Sequence, residues 1–525
     1  MRQADQPVTK VTIVGGGTAG WMTAGILSQW LSQIEIRLIE SDEIGIIGVG
    51  EATIPHIRAF MPLAGLDPLR MISETKATFK LGIDFVDWGA PGERYFHGFG
   101  KIGRDMLWLH THQLWLAARE RAPGSVRPFD DYALSAVAAY KNRFAYPDPR
   151  QQGSPMADFE YAFQFDASQF ARYLRSECEA RGVERIEGRI VEVLQDPQSG
   201  YVERVRLSDG REVGGELFID CSGMRGLLIG GALGIGYEDW NRWLLCDRAQ
   251  AVPCASVSPL TPYTRCTARP AGWQWRIPLQ HRIGNGHVYS SALMSDDEAA
   301  EILLGNLDGE PLADPRPVRF APGRRLKSWD KNVIAIGLSS GFLEPLESTS
   351  IHFIQTAAQR LLAMFPSHGF CAADIAEFNR QSRFEYEDVR DFIVAHYKVT
   401  RRGGDPFWDH VREMDVPDSL TERLELFRTS GRFFKRGAQE LFSEESWVQV
   451  LLGQGLEMRA DPVTQFVPAE EIGGFLGDVA GVIADVAESM PDHAAFVAGL
   501  PSSSAQQPGA GPARVDFNLD SVRRA

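Results

Sequence analysis

The sequence predicts a mixed α/β fold, and three observations carry that expectation. A β-rich run, Lys10 to Val14, leads straight into Gly15-Gly16-Gly17-Thr18-Ala19-Gly20, then a helical stretch to about Leu31 and a second apolar run from Ile34 to Ile39. This is a strand–glycine loop–helix–strand unit, the opening of a Rossmann-like dinucleotide fold. Strand patterns then dominate residues 191–220 and, punctuated by proline, 240–330. Beyond about residue 380 the pattern turns helical, with Phe-rich stretches at 426–434 and 441–452. The expected organisation is a nucleotide-binding module with an inserted sheet over 9–380, a helical subdomain over 381–499, and a disordered Pro/Ser/Gln/Gly-rich tail over 500–525.

Each element has a local reason. Gly15-x-Gly17-x-x-Gly20 permits a tight turn, close approach of backbone to a pyrophosphate, and close helix–strand packing. Glu40 closes the second strand twenty residues after Gly20, placed to accept ribose hydroxyls. Gly45 to Pro55 reads as a second glycine-rich loop. Thr78 to Trp88 reads as one alternating strand, with Phe79, Leu81, Ile83 and Phe85 on one face and Lys80, Gly82 and Asp84 on the other. A helix is expected over Ser168–Arg181, then strands at Val191–Leu194, Val202–Leu207 and Leu217–Asp220. In Trp273-x-Trp275-x-Ile277-Pro278 the two indoles share one strand face, and Pro278 ends the pairing. Asn332–Gly337 is a strand, and a helix begins at Ser348 with apolar residues at 351, 354, 358, 361 and 362.

Composition narrows the function. The chain has 525 residues, enough for two to four domain-sized units, and is 44% apolar and 23% charged. Its 54 Lys+Arg against 69 Asp+Glu leave a net −15, which argues against nucleic-acid and anionic-membrane partners. Six cysteines without a Cys-x-x-Cys pair or adjacent histidines read as reduced thiols, with no metal site. The polar N-terminus lacks a secretion signal and no apolar run is long enough to span a bilayer, so a cytoplasmic location is expected.

Taken together, several motifs are specific: the glycine loop, Gly48-Val49-Gly50-Glu51-Ala52-Thr53-Ile54-Pro55, Thr78-Phe79-Lys80-Leu81, Tyr95-Phe96-His97-Gly98-Phe99-Gly100, the Trp-x-Trp-x-Ile-Pro string, and Gly341-Phe342-Leu343-Glu344-Pro345-Leu346-Glu347-Ser348-Thr349-Ser350. To about residue 460 the chain resembles the flavin-dependent tryptophan halogenases, within the flavin monooxygenase superfamily. The resemblance implies FAD, used as FADH2, together with O2 and chloride or bromide. It implies an electron-rich aromatic substrate and a separate NAD(P)H-dependent flavin reductase as partner. The implied cofactor contacts are Gly15, Gly17, Thr18, Ala19, Gly20, Glu40, Gly50, Ala52, Val191, Leu338 and Ile351. The implied halide contacts are Thr349 and Ser350, the position of Ser350 being usually Gly in the family. Lys80 and Glu347 take the family's catalytic positions. His97, Phe99 and Trp447 fall where it lines its substrate pocket, and Trp273 and Trp275 lie on the flavin side.

The residues suit that chemistry. Hypohalous acid is electrophilic but unselective. The Lys80 ammonium can donate a hydrogen bond to it, or the amine can accept halogen as a haloamine. The Glu347 carboxylate can stabilise the arene cation and take its proton. Residues 431–442 contain no tyrosine, whereas tryptophan-specific members close their pocket with a tyrosine-rich segment. Free indole or an indole derivative, attacked at C3, is therefore favoured over free tryptophan. Two alternatives stand beside this reading. One is a single-component flavin aromatic hydroxylase, which would carry Asp where Leu338 stands; the other is a flavin-binding protein without turnover.

Overall fold

A computed structural model describes residues 7–43, 50–124 and 126–501 of the chain. The nucleotide-type unit forms as its pattern predicts: β1 (Lys10–Val14), helix α1 (Thr18–Trp30) and β2 (Glu35–Glu40). β1 lies inside a six-stranded sheet ordered Trp329–Asp330, Val333–Ala335, Leu217–Asp220, β1, β2, Glu184–Glu187. All pairs are parallel except the first. Parallel central strands are covered on both faces, so they read as continuous apolar runs rather than alternations. Val11, Ile13, Leu217, Ile219 and Ile334 are accordingly fully buried. The carboxyl ends of β1, β2 and Leu217–Asp220 share one edge, where ligands of open α/β sheets bind.

Two further sheets set the rest of the site. A short antiparallel one joins β3 (Gly50–Ala52) and β4 (Thr78–Lys80) through a shared central strand, β7 (Ala162–Asp166). A seven-stranded one runs Arg316–Arg319, Arg248–Cys254, Ile283–Tyr289, Gly272–Pro278, Thr264–Arg269, β5 (Gly82–Val86) and β6 (Arg94–Gly98). The single strand expected over 78–88 is therefore two strands in two sheets. The break is at Leu81, whose N–H donates to the Pro262 carbonyl while its own carbonyl accepts from Phe99. The face carrying Lys80, Gly82 and Asp84 is buried as deeply as the apolar one, with Lys80 and Asp84 both 0% exposed.

Other expectations shift at their edges. Residues 44–49, including Gly48 and Val49 of the second glycine motif, lie outside the described residues, and Gly50–Ala52 is strand rather than loop. The helix expected from Ser348 spans Ser350–Ala363. Ser348 itself is left-handed, at φ 57°, a conformation that ends one turn before the next begins. The division at 380/381 falls inside one continuous helix, Ala372–Lys398. Of the expected tail, residues 502–525 lie outside the described residues. Just ahead of it, the helix His493–Ala498 packs into the interior: His493 is 0% exposed and Phe496 meets the rings of Phe79 and Phe144. Among the described residues no helix is long and apolar enough to cross a membrane.

Candidate active site

A cavity of about 960 Å³ opens at the carboxyl edge of the parallel sheet, at the upper end of the roughly 300–1,000 Å³ usual for small-molecule sites. The three fingerprint glycines do three separate jobs around it. Gly15 sits at φ +112°, and a Cβ there would lie 2.2 Å from the Cys221 carbonyl oxygen. A Cβ on Gly20 would lie 1.9 Å from the Gly15 carbonyl, so this glycine lets helix and strand close up beneath the loop. Gly17 has nothing within 4 Å of its Cβ position and opens into the cavity. Gly17 caps α1 without a side-chain hydrogen bond, leaving backbone donors at the cavity for an anion.

Of the remaining sequence-predicted contacts, Thr18, Ala19, Glu40, Gly50, Ala52, Leu338 and Ile351 line the cavity. Glu40 is not idle. It pairs with Arg185 and, at 3.3 Å, with Arg175, and accepts from Trp21 Nε1 at 3.3 Å. Val191 is a correction: its side chain is 55% exposed and turned outward, and Arg189 and Ile190 line the wall instead. Strand alternation explains the slip, since a one-residue change of position reverses the face. Trp275 and Ile277 form part of the apolar wall, whereas Trp273 lies outside it, fully buried, with its ring 6.2 Å from that of Trp275. Trp273 Nε1 donates at 2.9 Å to Glu344, which also accepts from Tyr397. Burial lifts the Glu344 carboxyl to about 7, against those two donors. The donor set fits a flavin dinucleotide: helix amides for the diphosphate, a carboxylate for ribose, and an apolar wall for the ring system.

Beyond this wall the turn Pro345–Glu347 and left-handed Ser348 divide the chain between two sides. Ser348 and Ser350 line the cavity. Ser348 Oγ also accepts from Lys80 Nζ at 2.8 Å, so one hydroxyl joins the cavity wall to the buried lysine. Thr349, 0% exposed, has a hydroxyl with no partner among the described residues. A buried orphan hydroxyl is costly, and a halide beside the amides of the Ser350–Ala363 helix would satisfy it.

Glu347 is 1% exposed and held between two histidines. His97 Nδ1 lies 2.9 Å from Oε2, and His396 Nε2 lies 2.8 Å from Oε1. His396 Nδ1 faces the Phe392 carbonyl at 2.8 Å, so that nitrogen must donate. His396 Nε2 and Glu347 Oε1 are within ion-pair distance but are not aligned as a hydrogen bond. Burial alone would raise the Glu347 carboxyl, but the two histidines outweigh it and hold it at about 2. Burial pushes the Lys80 ammonium down to about 8, and the pull of Glu347 only partly opposes that.

The aromatic side is denser than the sequence suggests. Lys80 Nζ stands 5.4 Å from the centre of the Phe99 ring. His97 is a partner of Glu347 as well as a neighbour of Phe392 and Phe442. Trp447 is 1% exposed; Phe433 stacks on it at 5.0 Å and the Arg423 guanidinium covers it at 5.2 Å. Phe392 touches both Trp447 and His97. The structure thus brings Lys80, Phe99, His97 and Glu347 together, with Trp447 one ring behind. His396 and Phe392, in the helix Ala372–Lys398, and Phe442, in the bend before the helix Glu444–Gly453, had no sequence signal, because tertiary packing sets which way they face.

Comparison with known proteins gives one consistent result. A family model described as tryptophan halogenase matches residues 10–469. Tryptophan 6-halogenase ThaL of Streptomyces albogriseolus is 35% identical over 449 residues, covering 81% of this chain and 82% of that protein. Among solved structures, Xcc4156, a flavin-dependent halogenase from Xanthomonas campestris, superposes with a TM-score of 0.90 at 46% identity, covering 94% of this chain and 99% of the other. BrvH, a flavin-dependent halogenase from Brevundimonas sp. BAL3, gives a TM-score of 0.89 at 46% identity with the same coverage.

Proposed function

The chain belongs to the tryptophan halogenase family of flavin-dependent oxidoreductases, and from that premise we propose that it halogenates free indole or an indole derivative, at C3, with Lys80 and Glu347 as its catalytic pair. The relatives are named as halogenases, so neither the hydroxylase reading nor the carrier without turnover is carried further. Reduced FAD, supplied by a separate reductase, provides hypohalous acid from O2 and chloride or bromide. The cavity residues bind that flavin, and Thr349 and Ser350 hold the halide. Trp275 walls the flavin side against the organic substrate, and Trp273 backs it.

The observation that carries the proposal is the Ser348 bridge, because it leads from the cavity wall directly to the Lys80 amine. An amine held there, in a water-poor site, can aim the oxidant at a ring carbon. Glu347 then takes the proton that the attacked carbon must release, and His396 and His97 keep the carboxylate ionised and oriented to do so. Substrate choice rests on residues 431–442, where Phe433 stacks against Trp447 and no tyrosine is present.

The test supplies a flavin reductase, NADH, FAD, O2 and bromide or chloride with a panel of indole, substituted indoles and tryptophan, and reads products by mass and NMR. Wild type is expected to give 3-haloindole, and Lys80→Ala and Glu347→Gln to lose about 10²-fold or more of the rate. Product from both variants at the wild-type rate would remove these residues from the mechanism. Clean benzo-ring halogenation of free tryptophan would overturn the substrate proposal and leave the family untouched.

A further inference from the structure

The flavin cavity inverts the sign of the molecule. The chain carries a net −15, yet six arginines line this cavity against three carboxylates. Two of those carboxylates are already engaged: Glu40 by Arg175 and Arg185, and Asp42 by Arg185. The third, Glu51, is buried deeply enough that its carboxyl rises to about 7, so near neutrality it carries only part of a charge. On the cationic side, Arg172, Arg189, Arg225 and Arg316 are exposed and have no ion-pair partner among the described residues. They come from four separate segments: the helix Ala167–Ala180, the approach to the strand Ile190–Gln195, the turn Gly223–Arg225 and the edge strand Arg316–Arg319. Unpaired guanidinium groups converging on one opening, on an otherwise acidic protein, are a feature that folding alone does not require.

We propose that Arg172, Arg189, Arg225 and Arg316 form an electropositive collar that captures free flavin dinucleotide from solution by steering its diphosphate into the cavity. This rests on the flavin reading above and adds how the cofactor arrives. A reduced flavin made elsewhere is consumed by oxygen while it diffuses, so its rate of capture governs how much reaches the enzyme intact. A cleft of one sign raises the association rate of an oppositely charged ligand by about 10–10³-fold, and the gain falls with ionic strength. The same net −15 outside the collar repels the ligand from the rest of the surface, which sharpens the focusing. The collar residues are positioning and capture groups, not catalytic ones.

Stopped-flow association of oxidised FAD, read by flavin fluorescence across an ionic-strength series, tests this. Wild type is compared with the triple variants Arg172→Gln/Arg189→Gln/Arg316→Gln and Arg172→Glu/Arg189→Glu/Arg316→Glu, with far-UV circular dichroism as the check on folding. The Gln variant is expected to associate about tenfold more slowly at low salt, with the Glu variant slower again. Both should show a flattened or reversed salt dependence, and dissociation rates should be nearly unchanged. Wild-type association rates with the wild-type salt slope in both variants would overturn the collar. So would a loss expressed only in dissociation and equal for Gln and Glu, because that is the mark of a short-range contact. A wild-type chain that takes up no FAD at all would overturn the flavin reading itself, and the collar with it.

Discussion

At the scale of single residues the decisive fact is that Lys80 is fully buried with a hydroxyl as its only hydrogen-bond partner among the described residues. Its ammonium titrates at about 8, below the ordinary lysine value of 10.5. Between those two pH values the unfolded chain holds the extra proton, so stability rises with pH through that window, and the cost is fully present below about pH 8. That cost amounts to about 3 kcal/mol. Lys80→Met is therefore expected to stabilise the protein at pH 7 by about 1–2 kcal/mol, after the loss of a partner for the Ser348 hydroxyl, while abolishing halogenation. Urea unfolding at pH 7 and pH 9 checks it, and the gain should shrink at the higher pH. In turnover, a hydrogen-bond-donating ammonium predicts a rate that falls as pH rises through about 8, and a haloamine route predicts the opposite slope. Glu347, held at about 2, contributes no acidic limb to that profile. Lys80 and Glu347 were legible through the motifs around them. His396 was not, because a histidine inside Phe392–Lys398 carries no spacing that announces a carboxylate from a turn some fifty residues earlier.

At the scale of elements, three strands were read to the residue: β1, Val202–Leu207 and Leu217–Asp220. The split between β4 and β5 was not legible, since alternation continues through Leu81 and only its hydrogen bonds to Pro262 and Phe99 reveal the change of sheet. The Trp-x-Trp strand was half legible. Its two indoles are neighbours, as strand geometry demands, but only Trp275 reaches the cavity, because Glu344 holds Trp273 behind it. Trp273→Phe keeps an aromatic ring, though a smaller one, and removes the donor, leaving a buried carboxyl short of one hydrogen bond at a cost of about 1–3 kcal/mol beyond the lost packing. Denaturant midpoints with unchanged m-values would register that loss, and no loss would mean that Glu344 is satisfied by Tyr397 alone.

At the scale of the whole molecule, residues far apart in sequence hold the strand that carries Lys80. The Phe79 amide donates to His493 Nε2 at 3.3 Å, and His493 Nδ1 donates to the Leu260 carbonyl at 2.8 Å. Both ring nitrogens are thereby used, with the imidazole neutral, and burial keeps its titration down at about 4. His493→Leu removes both hydrogen bonds at once, and a loss of about 2–4 kcal/mol is expected, measurable by thermal or urea unfolding; a neutral result would show that water replaces the ring. No local pattern in residues 485–500 foretells this docking. The expected division at 380/381 lies where composition changes, and the helix Ala372–Lys398 runs across it and delivers His396 to Glu347.

That Phe79 and His493 lie 414 positions apart also imposes an order on biosynthesis. A ribosome finishes β4 long before it reaches the segment that braces it, so in a nascent polypeptide Phe79 and the adjoining Lys80 lack that support. Only after translation has passed the last described helix can β4 gain its hydrogen bond to His493. A chain released before His493 is therefore expected to hold β4 less firmly, which limited proteolysis of a truncated variant would register.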